Sequence, residues 1–150
     1  MKNYPAFILI LLALSFGWCE AQDYDYPRYG FYSERFPKSS ALSYTDAPRV
    51  DAEYEDLDRI VAYLEKGEYL FRTFSKISCL FPDDDADLSV QEIDTDGSFV
   101  WTKEFVHYVK AHKFAVPEPL LTLIRTREYQ FPELTDEEID KVLDAYYDGR

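Results

Sequence analysis

The chain has 150 residues, with 29 Asp and Glu against 16 Lys and Arg, for a formal net charge of −13 at pH 7. That length suits one domain, and that charge argues against nucleic acid and anionic membrane surfaces as partners, since both repel it. Cations and basic protein patches are the natural partners that remain; with none, acidity serves only to keep the chain soluble.

The chain opens with Lys2 and the apolar run "AFILILLALSFGW", which has the length of a signal-peptide core and is too short to span a bilayer comfortably. The small residues Cys19 and Ala21 favour cleavage after Ala21, so residues 1–21 read as a signal peptide and Gln22 begins a secreted chain. Cleavage after Cys19 is the alternative, with Gly17 as the other small residue. Nothing later is long and apolar enough for a membrane helix, so no membrane span is expected. Cysteine is scarce: after cleavage only Cys79 is certain to remain, which leaves no disulfide framework and puts the burden of stability on the core. An aromatic content of 17% can supply that core.

Residues 22–49 mix five tyrosines with three prolines and show no helical or strand period, so they read as a flexible arm. Tyr24 and Tyr26, flanked by Asp23 and Asp25, have a setting suited to tyrosine sulfation; an unmodified tail is the simpler reading. Residues 50–150 read as one mostly α domain. Leu57, Ile60, Val61 and Leu64 recur at helical spacing, and so do Leu70, Phe71, Phe74 and Ile77. Pro82 introduces "DDDADLSVQEI", where Asp83 to Asp85 suit the first turn of a helix; the capping-box spacing of Ser89 and Glu92 allows a later start. Phe99 to Trp101 is strand-like, Phe105 to Phe114 helical, and Pro117 and Pro119 separate it from "LLTLIRTREY". Thr135 and Glu138 frame a final helix with the stripe Ile139, Val142, Leu143 and Tyr146.

The segment "EIDTDGSFVWTKEF" carries the most chemistry. A twelve-residue calcium loop takes oxygen ligands at positions 1, 3, 5, 7, 9 and 12 and a glycine at 6. Asp94, Asp96 and Ser98 fit positions 1, 3 and 5 read forwards, and Glu104 fits position 12 read backwards. The two readings differ by one residue, the missing hinge glycine, and Trp101 offers no oxygen at position 9. In these residues, and in "LTDEEIDKVLDAYYDG", the chain resembles the EF-hand superfamily, in particular the troponin C and calmodulin branch. The resemblance covers under a third of the chain. It implies an EF-hand-like helix–loop–helix with at most a short strand pair, and a degenerate, weak calcium site at Asp94, Asp96, Ser98 and Glu104. Asp83, Asp85 and Asp87 form a second candidate set with alternate spacing; as a helix first turn they need no metal.

Enzymatic motifs are lacking: no phosphate-cradling glycine loop, no Gly-x-Ser-x-Gly and no His-Glu-x-x-His occur. His107 and His112 stand five residues apart, which assigns them to different helix faces and argues against a shared metal. A nucleophilic pair would require tertiary contact between Cys79 and one of these histidines. The expectation is therefore a secreted, acidic, non-catalytic binding protein with weak calcium binding, or a metal-free one that meets a basic protein partner through acidic and aromatic helical surface.

Overall fold

The computed structural model describes residues 26–38, 40 and 42–148. The expected signal peptide, Tyr24 and Gly149 lie outside them. The elements run β1 (Arg28–Tyr29), α1 (Leu57–Leu64), β2 (Glu68–Ser78), β3 (Asp87–Thr95), β4 (Val100–Thr102), α2 (Lys103–His112), α3 (Glu118–Thr126) and α4 (Asp136–Asp148). The strands form one mixed sheet in the order β1-β4-β3-β2, with β1 parallel to β4 and the other pairs antiparallel.

This corrects the expectation of a mostly helical domain with at most a short strand pair. β2 is the clearest case, because Leu70, Phe71, Phe74 and Ile77 have helical spacing yet lie on an eleven-residue strand. The pairing of this strand is irregular. Between the Arg72–Glu92 and Lys76–Val90 pairs, β2 advances four residues while β3 advances two, and further shifts follow Tyr69 and Lys76. Each inserted residue breaks the two-residue alternation of a strand, and the helical spacing marks no shared face: Leu70 is buried, Phe71 and Ile77 are half-buried and Phe74 is fully exposed. Tyr, Phe, Thr and Ile also favour a pleated surface over a helix.

The helix–loop–helix expected around Asp94 to Glu104 is instead a β-hairpin that runs directly into a helix. Thr95 pairs with Val100, and residues 96–99 form the turn. Gly97 adopts φ +82° in it, a conformation glycine accepts without strain. At Thr102 the chain switches to α2, and the Thr102 hydroxyl caps the helix by accepting the Phe105 N–H at 3.1 Å. Only α4 starts as its capping box predicts: Glu138 accepts the Thr135 N–H at 2.8 Å, and Thr135 accepts the Glu138 N–H at 3.3 Å.

Strand alternation divides the core between the two faces of the sheet. Trp101, fully buried, faces α1 and donates its indole N–H to the Leu64 carbonyl; it joins Ile60, Leu64, Phe105, Tyr108, Leu120 and others in the larger cluster. Val100 faces the opposite way and packs with Leu70, Ile93, Val142 and Tyr146 beneath α4. The described part of the tyrosine-rich arm is also structured, against expectation. Arg28 and Tyr29 pair with β4, and Tyr32 is buried against Tyr108 and Phe114. The arm crosses the start of α2 at Gly30 (φ +78°), where a Cβ would lie 2.3 Å from that of Phe105. Aromatic rings hold this segment down despite its polar, proline-containing composition.

Candidate metal centre

The link between β2 and β3, residues 79–86, folds over the C-terminal end of α2 and brings four side chains together. Lys113 ends the helix in the left-handed conformation, and its N–H returns to the Tyr108 carbonyl. Phe81 then wedges against Tyr108 and Phe114 and stacks on the His112 ring, with centroids 3.8 Å apart and planes 4° from parallel. That stack sets the orientation of the imidazole at the end of the helix. Five residues turn an α-helix through about 500°, leaving the two histidines about 140° apart around the axis. Their rings nevertheless come within 5.5 Å of each other, because both side chains reach toward the same overlying loop.

Asp84 stands where they meet. Its Oδ2 lies 2.6 Å from His112 Nε2 and 2.8 Å from His107 Nε2, and its Oδ1 accepts the Ala86 N–H at 3.0 Å. One oxygen is thus held by the loop and the other is aimed at the imidazoles. Cys79 Sγ lies 3.7 Å from His112 Nε2 and accepts the Phe81 N–H. The ligand atoms of Cys79, Asp84, His107 and His112 all lie within 4.8 Å of one another, the one such group among the described residues. The side chains of Asp84, His107 and His112 are each about one-fifth exposed, so the group is sheltered yet reachable from solvent.

Electrostatics follow this geometry. The hydrogen bond from His112, then that from the Ala86 N–H and that from His107, hold the Asp84 carboxyl well below the usual range, so it is ionised at neutral pH. Burial raises the Cys79 thiol, and the neighbouring Asp84 adds to the effect, while the Phe81 N–H opposes it.

Two chemistries compete for such a group. Cys, His and Asp are the members of a nucleophilic triad, and tertiary contact between Cys79 and a histidine was the missing requirement for one. A triad, however, uses opposite ring nitrogens: one faces the nucleophile and the other faces the acid. Here the Cys79 sulfur and the Asp84 oxygen approach the same nitrogen of His112. An Nε2 that donates to Asp84 cannot accept the thiol proton, and a raised thiol pKa is opposite to activation. Four donor atoms of these kinds within 4.8 Å of one another could instead hold a metal ion. Bonds of about 2.0 Å to nitrogen and oxygen and about 2.3 Å to sulfur put tetrahedral zinc ligands about 3.3 Å apart, or about 3.5 Å where one of the pair is sulfur. The Cys79–His112 separation of 3.7 Å is close to that distance, and the Asp84 contacts would open by about 0.5–0.7 Å as an ion replaces their hydrogen bonds.

The residues expected to bind calcium are placed differently. Asp94 is on β3, buried beneath Gly67 and opposite Trp101. One of its oxygens has no protein partner, and burial, with the Glu92 charge adding, pushes its carboxyl up to about 7 against the pull of Lys103 and Arg72. Asp96 is fully buried in the hairpin turn: Oδ1 accepts the N–H groups of Ser98 and Phe99, and Oδ2 accepts from Tyr63 and Arg127. The Ser98 hydroxyl accepts a long hydrogen bond from Arg127. Glu104, also fully buried, is on α2 and is held by Arg35 and Tyr108. Asp96 and Ser98 are therefore together, whereas Asp94 and Glu104 have surroundings of their own. In the aspartate run, Asp83 and Asp85 are exposed and Asp87 pairs with Lys76. The alternate spacing selected these three and passed over Asp84, the member that faces the histidines.

No protein-family model, no curated protein and no solved structure matches the chain. Among the described residues, no helix is long and apolar enough to cross a membrane.

Proposed function

We propose that this is a secreted, acidic, non-catalytic binding protein that takes one zinc-class divalent ion at Cys79, Asp84, His107 and His112. The observation that carries this reading is the gathering of two imidazoles, a thiol and the Asp84 carboxylate with their ligand atoms within 4.8 Å of one another, both Nε2 atoms lying against Asp84 Oδ2 and the thiol against His112 Nε2. A thiolate with two imidazoles suits a borderline ion such as zinc. Calcium, which takes six to eight oxygens, is poorly served by that set. Four protein donors fill a tetrahedral shell, as structural sites do, and leave no open position for a substrate or an activated water. The net charge of −13 raises the local concentration of cations and favours a basic protein partner.

Calorimetric titration of the metal-free protein with zinc tests the reading. One ion per chain is expected, with affinity reduced at least tenfold by His107→Ala and again by His112→Ala, and no heat from calcium at this site. Absence of zinc uptake by the folded protein, or uptake indifferent to both substitutions, sinks it.

A second reading, a metal-free interaction protein, draws on β2. This strand lies at the edge of the sheet and carries a fully exposed Phe74 and, five residues earlier, a half-exposed Tyr69. An edge strand with exposed aromatic residues suits docking of another chain. It becomes the better account if zinc uptake fails while the fold stays intact.

A further inference from the structure

Cys79 is the ligand furthest in sequence from the helix that supplies both histidines, and its backbone is clamped on each side. The carbonyl of Ser78, just before it, accepts a hydrogen bond from Arg35 Nη2 at 2.5 Å. The N–H of Leu80, just after it, donates to the Tyr108 hydroxyl at 2.9 Å. Both arms of the clamp attach to Glu104. Its Oε1 accepts the Tyr108 O–H at 2.7 Å and the Arg35 Nη2–H at 3.1 Å. Glu104 is fully buried, and a buried ion pair contributes little net stability over an apolar pair of the same shape. Its geometric effect is larger. Glu104 and Tyr108 sit on the same α2 helix as His107 and His112, so the clamp sets Cys79 in register with the two imidazoles.

We infer that Glu104 is a positioning residue of the metal centre, acting on Cys79 through Arg35 and Tyr108 and touching no metal itself. The inference rests on the zinc reading above. It also ties ion affinity to the tyrosine-rich segment, because Arg35 belongs to it. Hydrogen-bonded partners that orient metal ligands are worth roughly 10- to 100-fold in affinity.

The test measures zinc affinity by competition with a chromophoric chelator in Glu104→Gln and Tyr108→Phe, each in the natural chain and in Cys79→Ala. A loss of roughly 10- to 100-fold is expected with Cys79 present, and no further loss in Cys79→Ala, where the clamp has nothing to position. With cobalt in place of zinc, the thiolate charge-transfer band should weaken in both variants while the ligand-field bands persist. Equal losses in both backgrounds, or none in either, overturn the inference. Tyr108→Phe keeps the ring packed against Phe81 and Phe114, and it decides the matter should Glu104→Gln not fold. Failure of the unmodified protein to take up zinc removes the site and this inference together. Uptake that neither variant weakens removes the inference alone.

Discussion

Two acid-rich turns bracket β3, one around Asp84 and one around Asp96, and they hold their carboxylates in opposite ways. In the turn after the strand, the backbone N–H groups of Ser98 and Phe99 and the side chains of Tyr63 and Arg127 engage both oxygens of Asp96. That carboxylate is already neutralised and has no direction left to offer a cation. In the turn before it, one Asp84 oxygen is anchored on Ala86 and the other faces two imidazoles beside a thiol. The comparison teaches that density of acid does not make a metal site. What matters is whether donors converge without cationic partners of their own, and whether their identities suit one ion.

Three substitutions on the calcium-like side sharpen that contrast. The largest effect is expected at Asp94. Its folded carboxyl is raised from an ordinary 3.8 to about 7, so the folded state binds more protons than the unfolded state between these values. Stability must then fall as pH rises from about 4 to about 7 and stay reduced above that. Asp94→Asn should remove this loss, raising stability at pH 8 by on the order of 4 kcal/mol and leaving it nearly unchanged at pH 4. Urea unfolding at the two pH values checks it; a destabilised Asp94→Asn at pH 8 would mean the carboxylate is needed in ionised form.

Next comes Asp96→Ala, which strips the Arg127 guanidinium of its carboxylate and unmakes the turn. A loss of about 3 kcal/mol is expected, at the low end for a buried pair because Arg127 is partly exposed. Zinc stoichiometry and affinity of the folded fraction should be unchanged. A coupled loss of zinc would break the distinction between the two turns. The smallest effect is expected at Gly97→Ala, where φ +82° and a Cβ only 2.9 Å from Leu134 Cδ2 predict a cost of about 1–2 kcal/mol. Thermal unfolding reads it directly, and an unchanged midpoint would show that the turn relaxes.

Some of this was legible in the chain alone. The stripe of α4 and its Thr135–Glu138 box locate that helix correctly, since both signals are local and nothing competes with them. "DTDGS", expected as part of a calcium loop without its hinge glycine, is the turn of a hairpin in which Gly97 takes the positive φ. β2 misleads because its apolar residues have helical spacing without sharing a packed face, and the arm because composition does not reveal where Tyr32 will dock. His107 and His112 were set aside on helical geometry that holds along a helix axis. It does not describe side chains that reach for a loop folded over the helix end.

The sequence by itself determined the acidity, the scarcity of cysteine, the aromatic supply of the core and the local signals that start α4. Tertiary structure alone decided the sheet, the burial of Asp96 and Glu104 by cationic partners, and the meeting of Cys79 and Asp84 with two histidines. The physical reason is range. Capping and turn chemistry act over three or four residues, whereas the candidate metal-ligand group joins positions up to 33 apart in the chain. Their approach depends on how a strand link packs over a helix end, and no short pattern of residues encodes that.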